Sequence, residues 1–324
     1  MNKENFKSGI IPSPPDPRDF TVAMACKAIG KPVEQTFPEE FNLFYPDEVL
    51  DQGDIGACVA FSTSAERCAT EYEQTGNIIR FSQGYIYADR FGFYSGEGMI
   101  TRDALTALQK WGVVPYEDFP YLDTYDKLKP ILLGDRGSNL DALRVKAYPY
   151  RISSYYRLDV EGEDTATNIK NALMNGMGVI TVFDVKESFW DVGSDGIVPI
   201  PKDNEKNYGG HATVTFGWKG DYTNTLNSWG EKWGDKGWAH FPLDYPFREV
   251  WAVSDKIDAN LVKLQQKFVD ADNIATWARE YVVKATELGL MSGDGNVFNP
   301  KGTLSREQLA IVAVKLYEAL KKGD

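Results

Sequence analysis

The chain is short of the residues that most often do site chemistry, with 3 cysteines and 2 histidines in 324 residues. Cys26, Cys58 and Cys68 are too few for a disulfide framework, and no Cys-x-x-Cys pair is present, which argues against a structural zinc site. Cys26 and Cys68 read as core residues, with a bridge between the two as the alternative. Basic charge is also in deficit: 35 Lys+Arg against 47 Asp+Glu leave a net charge of -12, opposite in sign to a nucleic-acid binder. No apolar run reaches the roughly 18 residues of a membrane span, and MNKENFKSGIIPSPPDPRDF at the start lacks the apolar core of a secretory signal. The chain therefore reads as having neither a span nor an export signal. What it does have is 43% hydrophobic and 13% aromatic residues, ample for a large core over a little more than two average domains.

Prolines concentrate in SPPDPRDF at 13–20, where ring-fixed φ angles favour extended backbone, so residues 1–36 read as an arm. Helices are expected from Cys58 to about Gln74, over 99–112 and at about 165–175, each followed by a glycine that can end it (Gly76, Gly112, Gly176). Beyond Gly176 the runs GVITVF, HATVTFGW and NTLNSWG are β-branched and aromatic, as strands are. Helices first and strands later imply an α+β body of two lobes. Residues 257–267 read as a polar, helical connector, and 268–324 as a helix–loop–helix piece. Its first helix is expected to be capped at Asp272 and to stop at Gly289. Its second opens on Ser305 and Gln308 at capping-box spacing. So small a unit buries little by itself, which points to docking or self-association.

Chemistry concentrates at DQGDIGACVAFS, where Cys58 opens a helix. Free N–H groups and the positive end of the helix dipole there favour thiolate over thiol. A nucleophilic thiol needs a base. His211 in YGGHATVTFGW follows two glycines that permit close approach and enters a rigid strand, whereas His240 in GWAHFPLD reads as structural. Asn227, 16 residues beyond His211, can orient the imidazole without adding a charge.

These three segments, in this order and with His211 153 residues after Cys58, resemble the active-site segments of papain-like cysteine peptidases. FSQGYIYADRF, GEGMITRDALTALQKWG and PYEDFPY also fit that family, so the likeness runs over about residues 10–255. It implies a two-lobed papain-like fold, a helical lobe beside a β-barrel-like lobe, spanning 37–256. It implies Cys58 as nucleophile, His211 as base and later acid, Asn227 as orienter and Gln52 as oxyanion donor. Trp229 would cover the Asn227–His211 bond, and backbone at Gly98, Met99 and Gly210 would hold the substrate chain as an added strand. No metal or other cofactor is implied. Ile55 and Val59 stand where many members carry cysteine and tryptophan, which resembles bacterial and viral members. The stretch before Cys58 does not read as the family's long helical prosegment, so the expectation is either that no zymogen is needed or that residues 1–36 do that work by packing along the body or cleft.

The piece FVDADNIATWAREYVVKATELGLMSGDGNVFNPKGTLSREQLAIVAVKLYEAL is similar to a surface-layer homology module, with Trp277 and Arg306 at characteristic positions. That likeness implies binding of Gram-positive cell-wall polysaccharide. It also implies a location at a bacterial surface, on a virion, or released by host lysis as a phage product. The leading reading is a thiol endopeptidase acting on polypeptides and directed to such a surface. A vestigial papain-like structural protein and a hydrolase of peptidoglycan stem peptides stand as alternatives, and a homo-oligomer built through the module is a further expectation.

Overall fold

The computed structural model describes residues 3–254 and 264–321, apart from 5, 17–18, 20, 22–32, 46–47, 91–96, 122–126, 129–137 and 265–266. The side chains of 138, 276, 277, 280, 319 and 320 are also outside this set. Two compact units divide the chain, Met1–Asp255 and Lys256–Asp324.

In the first unit, helix α1 (Cys58–Thr75) is buried on every side from Cys58 to Glu71 and ends on left-handed Gly76. A helix buried all round must satisfy its polar side chains internally. Ser62 and Ser64 hydroxyls accordingly bond carbonyls of their own helix, and Arg67 Nη2 donates to Glu71 at 2.6 Å. Helices α2 (Gln83–Ala88), α3 (Thr101–Trp111) and α4 (Ser138–Ala147) belong to the same helical side. Gly112 stops α3 as expected. Helix α5 (Thr165–Met174) is capped by the Asp164 carboxylate, which accepts from the amides of Ala166 and Thr167.

The strands are β1 (Glu40–Asn42), β2 (Ser154–Arg157), β3 (Val179–Lys186), β4 (Asn207–Lys219), β5 (Tyr222–Leu226), β6 (Trp238–Ala239) and β7 (Glu249–Ser254). They form one antiparallel sheet in the order β2-β7-β3-β4-β5-β6, with β1 added on β4. The two halves share a core: Cys58, Val59 and Ala60 of α1 pack with Ile180 and Val182 of β3, Ala212 of β4, and Trp251 and Val253 of β7. The first turn of α1 is thus wedged against the middle of β4, which is the placement that matters for the site. The α+β, papain-like architecture expected from the sequence is the one observed.

In the second unit, α6 (Thr276–Glu287) and α7 (Arg306–Lys321) flank a turn-rich loop over a small core of Leu264, Phe268, Ala271, Ile274 and Val283. Asp270 ties the loop down by accepting from the amides of Phe298 and Asn299, and these bonds lower its pKa against partial desolvation. Ser305 and Gln308 form the expected reciprocal capping box. Asp272 is not the cap of α6: it lies in a short 3-10 turn (Ala271–Asn273), and the helix starts four residues later. Of the connector expected over 257–267, residues 257–263 and 265–266 lie outside the described residues.

Candidate active site

Cys58 is the first residue of α1, and Ala57 before it supplies no side-chain cap, so the first-turn amides stay available to the sulfur. The amide of Ala212 in β4, and those of Val59 and Cys58 itself at the helix N-terminus, stabilise charge on the thiol. Burial nevertheless prevails: it pushes the Cys58 thiol up to about 12 and leaves it neutral, unlike the thiolate expected from the sequence.

His211 sits in β4 opposite Phe183 of β3, fully buried. Its Nε2 lies 2.8 Å from Asn227 Oδ1, an atom that only accepts, so the Nε2 proton is the one donated. The Ser228 amide donates to the same oxygen at 2.8 Å and fixes the carboxamide's orientation. In the neutral ring, Nδ1 is therefore the free base. It is buried and has no hydrogen-bond partner among the described residues. Burial pushes the His211 imidazole down to about 4, against the Asn227 hydrogen bond that favours its charged form. Trp229 lies over this pair, its ring 4.8 Å from the imidazole and 3% exposed.

Gln52 is 1% exposed and doubly tethered: Nε2 donates to the Ile55 carbonyl at 2.7 Å and Oε1 accepts from Ser228 Oγ at 2.6 Å. Its second Nε2 hydrogen remains for another acceptor. Ser228 thus joins the Gln52 loop to the Asn227 loop.

Residues 6–13 of the arm run across this constellation. Gly9 N donates to the Gly210 carbonyl at 3.1 Å, Met99 N to the Gly9 carbonyl at 3.0 Å, and Ile11 N to the Met99 carbonyl at 2.9 Å. Ile10 pairs with Met99 in a parallel bridge and is 8% exposed. A Cβ built on Gly9 would overlap Cys58 Sγ, and one on Gly210 would come within 2.6 Å of Ile10 Cβ. Both glycines are close-approach positions where any side chain collides. Around this centre the arm is held by Lys3 on Glu187, Lys7 on Glu97 at 3.2 Å, Ser13 on Glu249 through amide and hydroxyl at 2.7 Å each, and Asp19 on Arg102.

The structure therefore brings Cys58, His211, Asn227, Gln52, Trp229, Met99 and Gly210 together, with Gly98 beside Gly9 and its carbonyl bound by Arg90 Nη1. His240 is apart, joined to the Thr223 carbonyl and the Asp235 carboxylate. Cys68 is buried in α1, and Cys26, which the alternative bridge needs, lies outside the described residues. Arg306 is exposed at the start of α7 and the Trp277 side chain lies outside the described residues. Sequence reasoning passed over Glu97, Trp190 and Glu249. Glu97 accepts from the Gly56 amide at 2.9 Å and from the Tyr87 hydroxyl at 2.8 Å, bracing the turn before the thiol. Its only sequence signal is its place in GEGMI.

A family model described as papain family cysteine protease matches residues 41–245. The chain belongs to that family. It is a cysteine peptidase by descent, and a second model, the S-layer homology domain, matches residues 267–310. An uncharacterized peptidase C1-like protein of Acanthamoeba polyphaga mimivirus is 26% identical over 292 residues, covering 82% of this chain and 92% of that protein. Vignain of Vigna mungo is 24% identical over 199 residues, 59% of this chain and 49% of that one. Among solved structures, xylellain, a cysteine protease from Xylella fastidiosa, superposes with a TM-score of 0.63 at 26% identity, over 78% of this chain and 98% of its own.

Proposed function

We propose that this papain-family chain is a thiol endopeptidase that cuts polypeptides through Cys58, His211, Asn227 and Gln52, and that residues 6–13 hold it latent. The observation that carries the reading is the Nε2-to-Asn227 bond, which leaves Nδ1 of a buried imidazole as the free base, while the amide of Ala212, next in the chain to His211, bonds the Cys58 sulfur at the head of α1. Once the cleft is hydrated, Nδ1 takes the thiol proton and the thiolate attacks the scissile carbonyl. The oxyanion falls to the Cys58 amide and the remaining Gln52 Nε2 hydrogen. His211 then returns the proton to the leaving amine, and water, deprotonated by the same nitrogen, hydrolyses the thioester.

Direction of chain explains why the arm is an inhibitor and not a substrate. Because His211 protonates the leaving amine, residues beyond the cut lie on the imidazole and Trp229 side, and residues before it on the Met99 side. The arm runs the other way: Phe6 is at His211 and Trp229, and Ile10 and Ile11 are at Met99. Its peptide units face the thiol with reversed polarity, so it fills the cleft without being cut there.

The S-layer homology domain supports attachment to a surface, and we assign it Gram-positive wall polysaccharide as ligand, with Arg306 as a contact. Exposed Leu309, Ile311, Val314 and Tyr317 on α7 support self-association through the same unit. Domain limits of 37–256 for the peptidase body and 268–324 for the module remain the working division. The test is the full chain opened by Gly9→Ala against the same chain also carrying Cys58→Ala, on casein and on purified cell walls in parallel. Casein cleavage lost in the variant is the expected result. Release of wall fragments without casein cleavage would replace the proposed substrate with stem peptides, and no cleavage of either would sink the enzymatic reading.

A further inference from the structure

The two carboxylate oxygens of Glu97 face different partners. Oε1 accepts from Lys7 Nζ of the arm at 3.2 Å, while Oε2 accepts from the Gly56 amide at 2.9 Å and from the Tyr87 hydroxyl at 2.8 Å. Partial burial opposes its charge, but these three donors together lower its pKa, so Glu97 is a carboxylate at neutral pH and its bonds are charge-assisted. A departing arm takes Lys7 away and leaves the Gly56 and Tyr87 bonds in place.

The Gly56 N–H and the Ile55 carbonyl belong to one planar peptide unit. Glu97 holds its N–H edge, and its carbonyl edge accepts from Gln52 Nε2 at 2.7 Å and from the Ala57 amide at 2.8 Å. A plane cannot turn at one edge without turning at the other, so the carboxylate and the Gln52 carboxamide grip opposite sides of the same plate. Negative charge at the N–H edge also polarises the unit and makes the Ile55 carbonyl a stronger acceptor. Many papain-family members anchor this turn through a cysteine at the position of Ile55, whose side chain here is apolar and 4% exposed. In this chain Glu97 ties the turn to the segment that carries Met99.

We infer that Glu97 is a positioning residue for the oxyanion site, pinning the Ile55–Gly56 peptide so that it aims the Gln52 carboxamide, a noncovalent substitute for a cysteine link at this turn. What Gln52 does there rests on the peptidase reading, whereas the two grips on the plate do not.

The reference for the test is the full chain carrying Lys7→Ala and Gly9→Ala, so that the arm's own contact with Glu97 is absent from every comparison. On an internally quenched peptide spanning a casein cleavage site, Glu97→Ala should lower kcat about tenfold with KM nearly unchanged, short of the roughly hundredfold cost of removing the Gln52 donor itself. Glu97→Gln keeps one side-chain oxygen for the Gly56 amide and should recover part of the loss. With Gln52→Ala already present, Glu97→Ala should cost less than about twofold, because the group it aims is gone. A full loss in that background, or a loss confined to KM, would overturn the positioning role. A second measurement needs no turnover. With Cys58→Ala added and glutamine isotopically labelled, Glu97→Ala should speed solvent exchange of the Gln52 carboxamide hydrogens by about tenfold, and Glu97→Gln by less. Unchanged exchange overturns the role of Glu97 even in a chain that cuts peptide, whereas faster exchange in a chain that cuts none supports it and counts against the peptidase reading alone.

Discussion

Gly9→Ala is the sharpest perturbation of the closed cleft, because the added methyl would occupy the space of Cys58 Sγ. The arm must then lift from the thiol and lose the two hydrogen bonds that Gly9 makes, at 3.1 Å to Gly210 and 3.0 Å from Met99. Each is worth about 1 kcal/mol net, and residual overpacking adds about 1 kcal/mol more. A total of about 2–3 kcal/mol raises the open fraction roughly 30- to 150-fold. Two readouts should rise together by that order: initial velocity on a fluorogenic peptide, and the rate at which a thiol-directed epoxide labels Cys58. The thermal transition of the body should stay within a few degrees, since α1 and the sheet are untouched. Equal velocity and equal labelling in the variant and the parent chain would refute the view that this contact closes the enzyme.

Acid should open the same cleft. His211 is held down to about 4 by its burial in the closed form, so closure is fully favoured above its ordinary value of 6.5 and is weakened progressively as pH falls from 6.5 towards 4. Glu97 is desolvated, yet the Gly56 amide, the Tyr87 hydroxyl and Lys7 outweigh this and lower its pKa; Glu187 is lowered chiefly by Lys3 and Tyr208. Only the shares due to Lys7 and Lys3 couple to the arm, and these add loss of closure as pH falls below the ordinary carboxylate value of 4.5. Hydrogen exchange at the amides of Gly9 and Ile11, corrected for intrinsic rate, should lose protection across that window, and protection constant from pH 7 to 4 would contradict the assignment. Separately, Gln52→Ala in the opened enzyme should lower kcat by about a hundredfold with little change in KM, the usual cost of one oxyanion donor. A loss confined to KM would mean that Gln52 serves only to hold the Ser228 loop.

Legibility in the sequence followed locality. Cys58, His211 and Asn227 could be named because each sits in a segment whose glycines, caps and strand residues declare its surroundings, and Ser305 with Gln308 declared a cap that the structure contains. Asp272 misled for a related reason: aspartate opens 3-10 turns as readily as α-helices, and only the packing of Ile274 decides where α6 begins. The ionisation state at Cys58 was not legible, since the local helix terminus favours thiolate but the covering arm removes water, and desolvation is the larger effect. Trp190 and Glu97 were invisible because their partners, Phe6 and Gly56, come from distant stretches of chain. The prolines marked residues 1–36 as extended without saying that one missing side chain, at Gly9, allows the backbone onto the sulfur.

The backward-lying arm has a kinetic consequence that depends on its covalent leash. While attached, residues 6–13 meet the cleft at an effective concentration on the order of millimolar, so even a weakly held plug stays in place. One break in the leash, anywhere between Ser13 and Glu40, turns the plug into part of a free N-terminal fragment facing micromolar enzyme, and dilution alone favours its departure. Latency in this chain would then end irreversibly at a single severed bond, with no rearrangement of the body required.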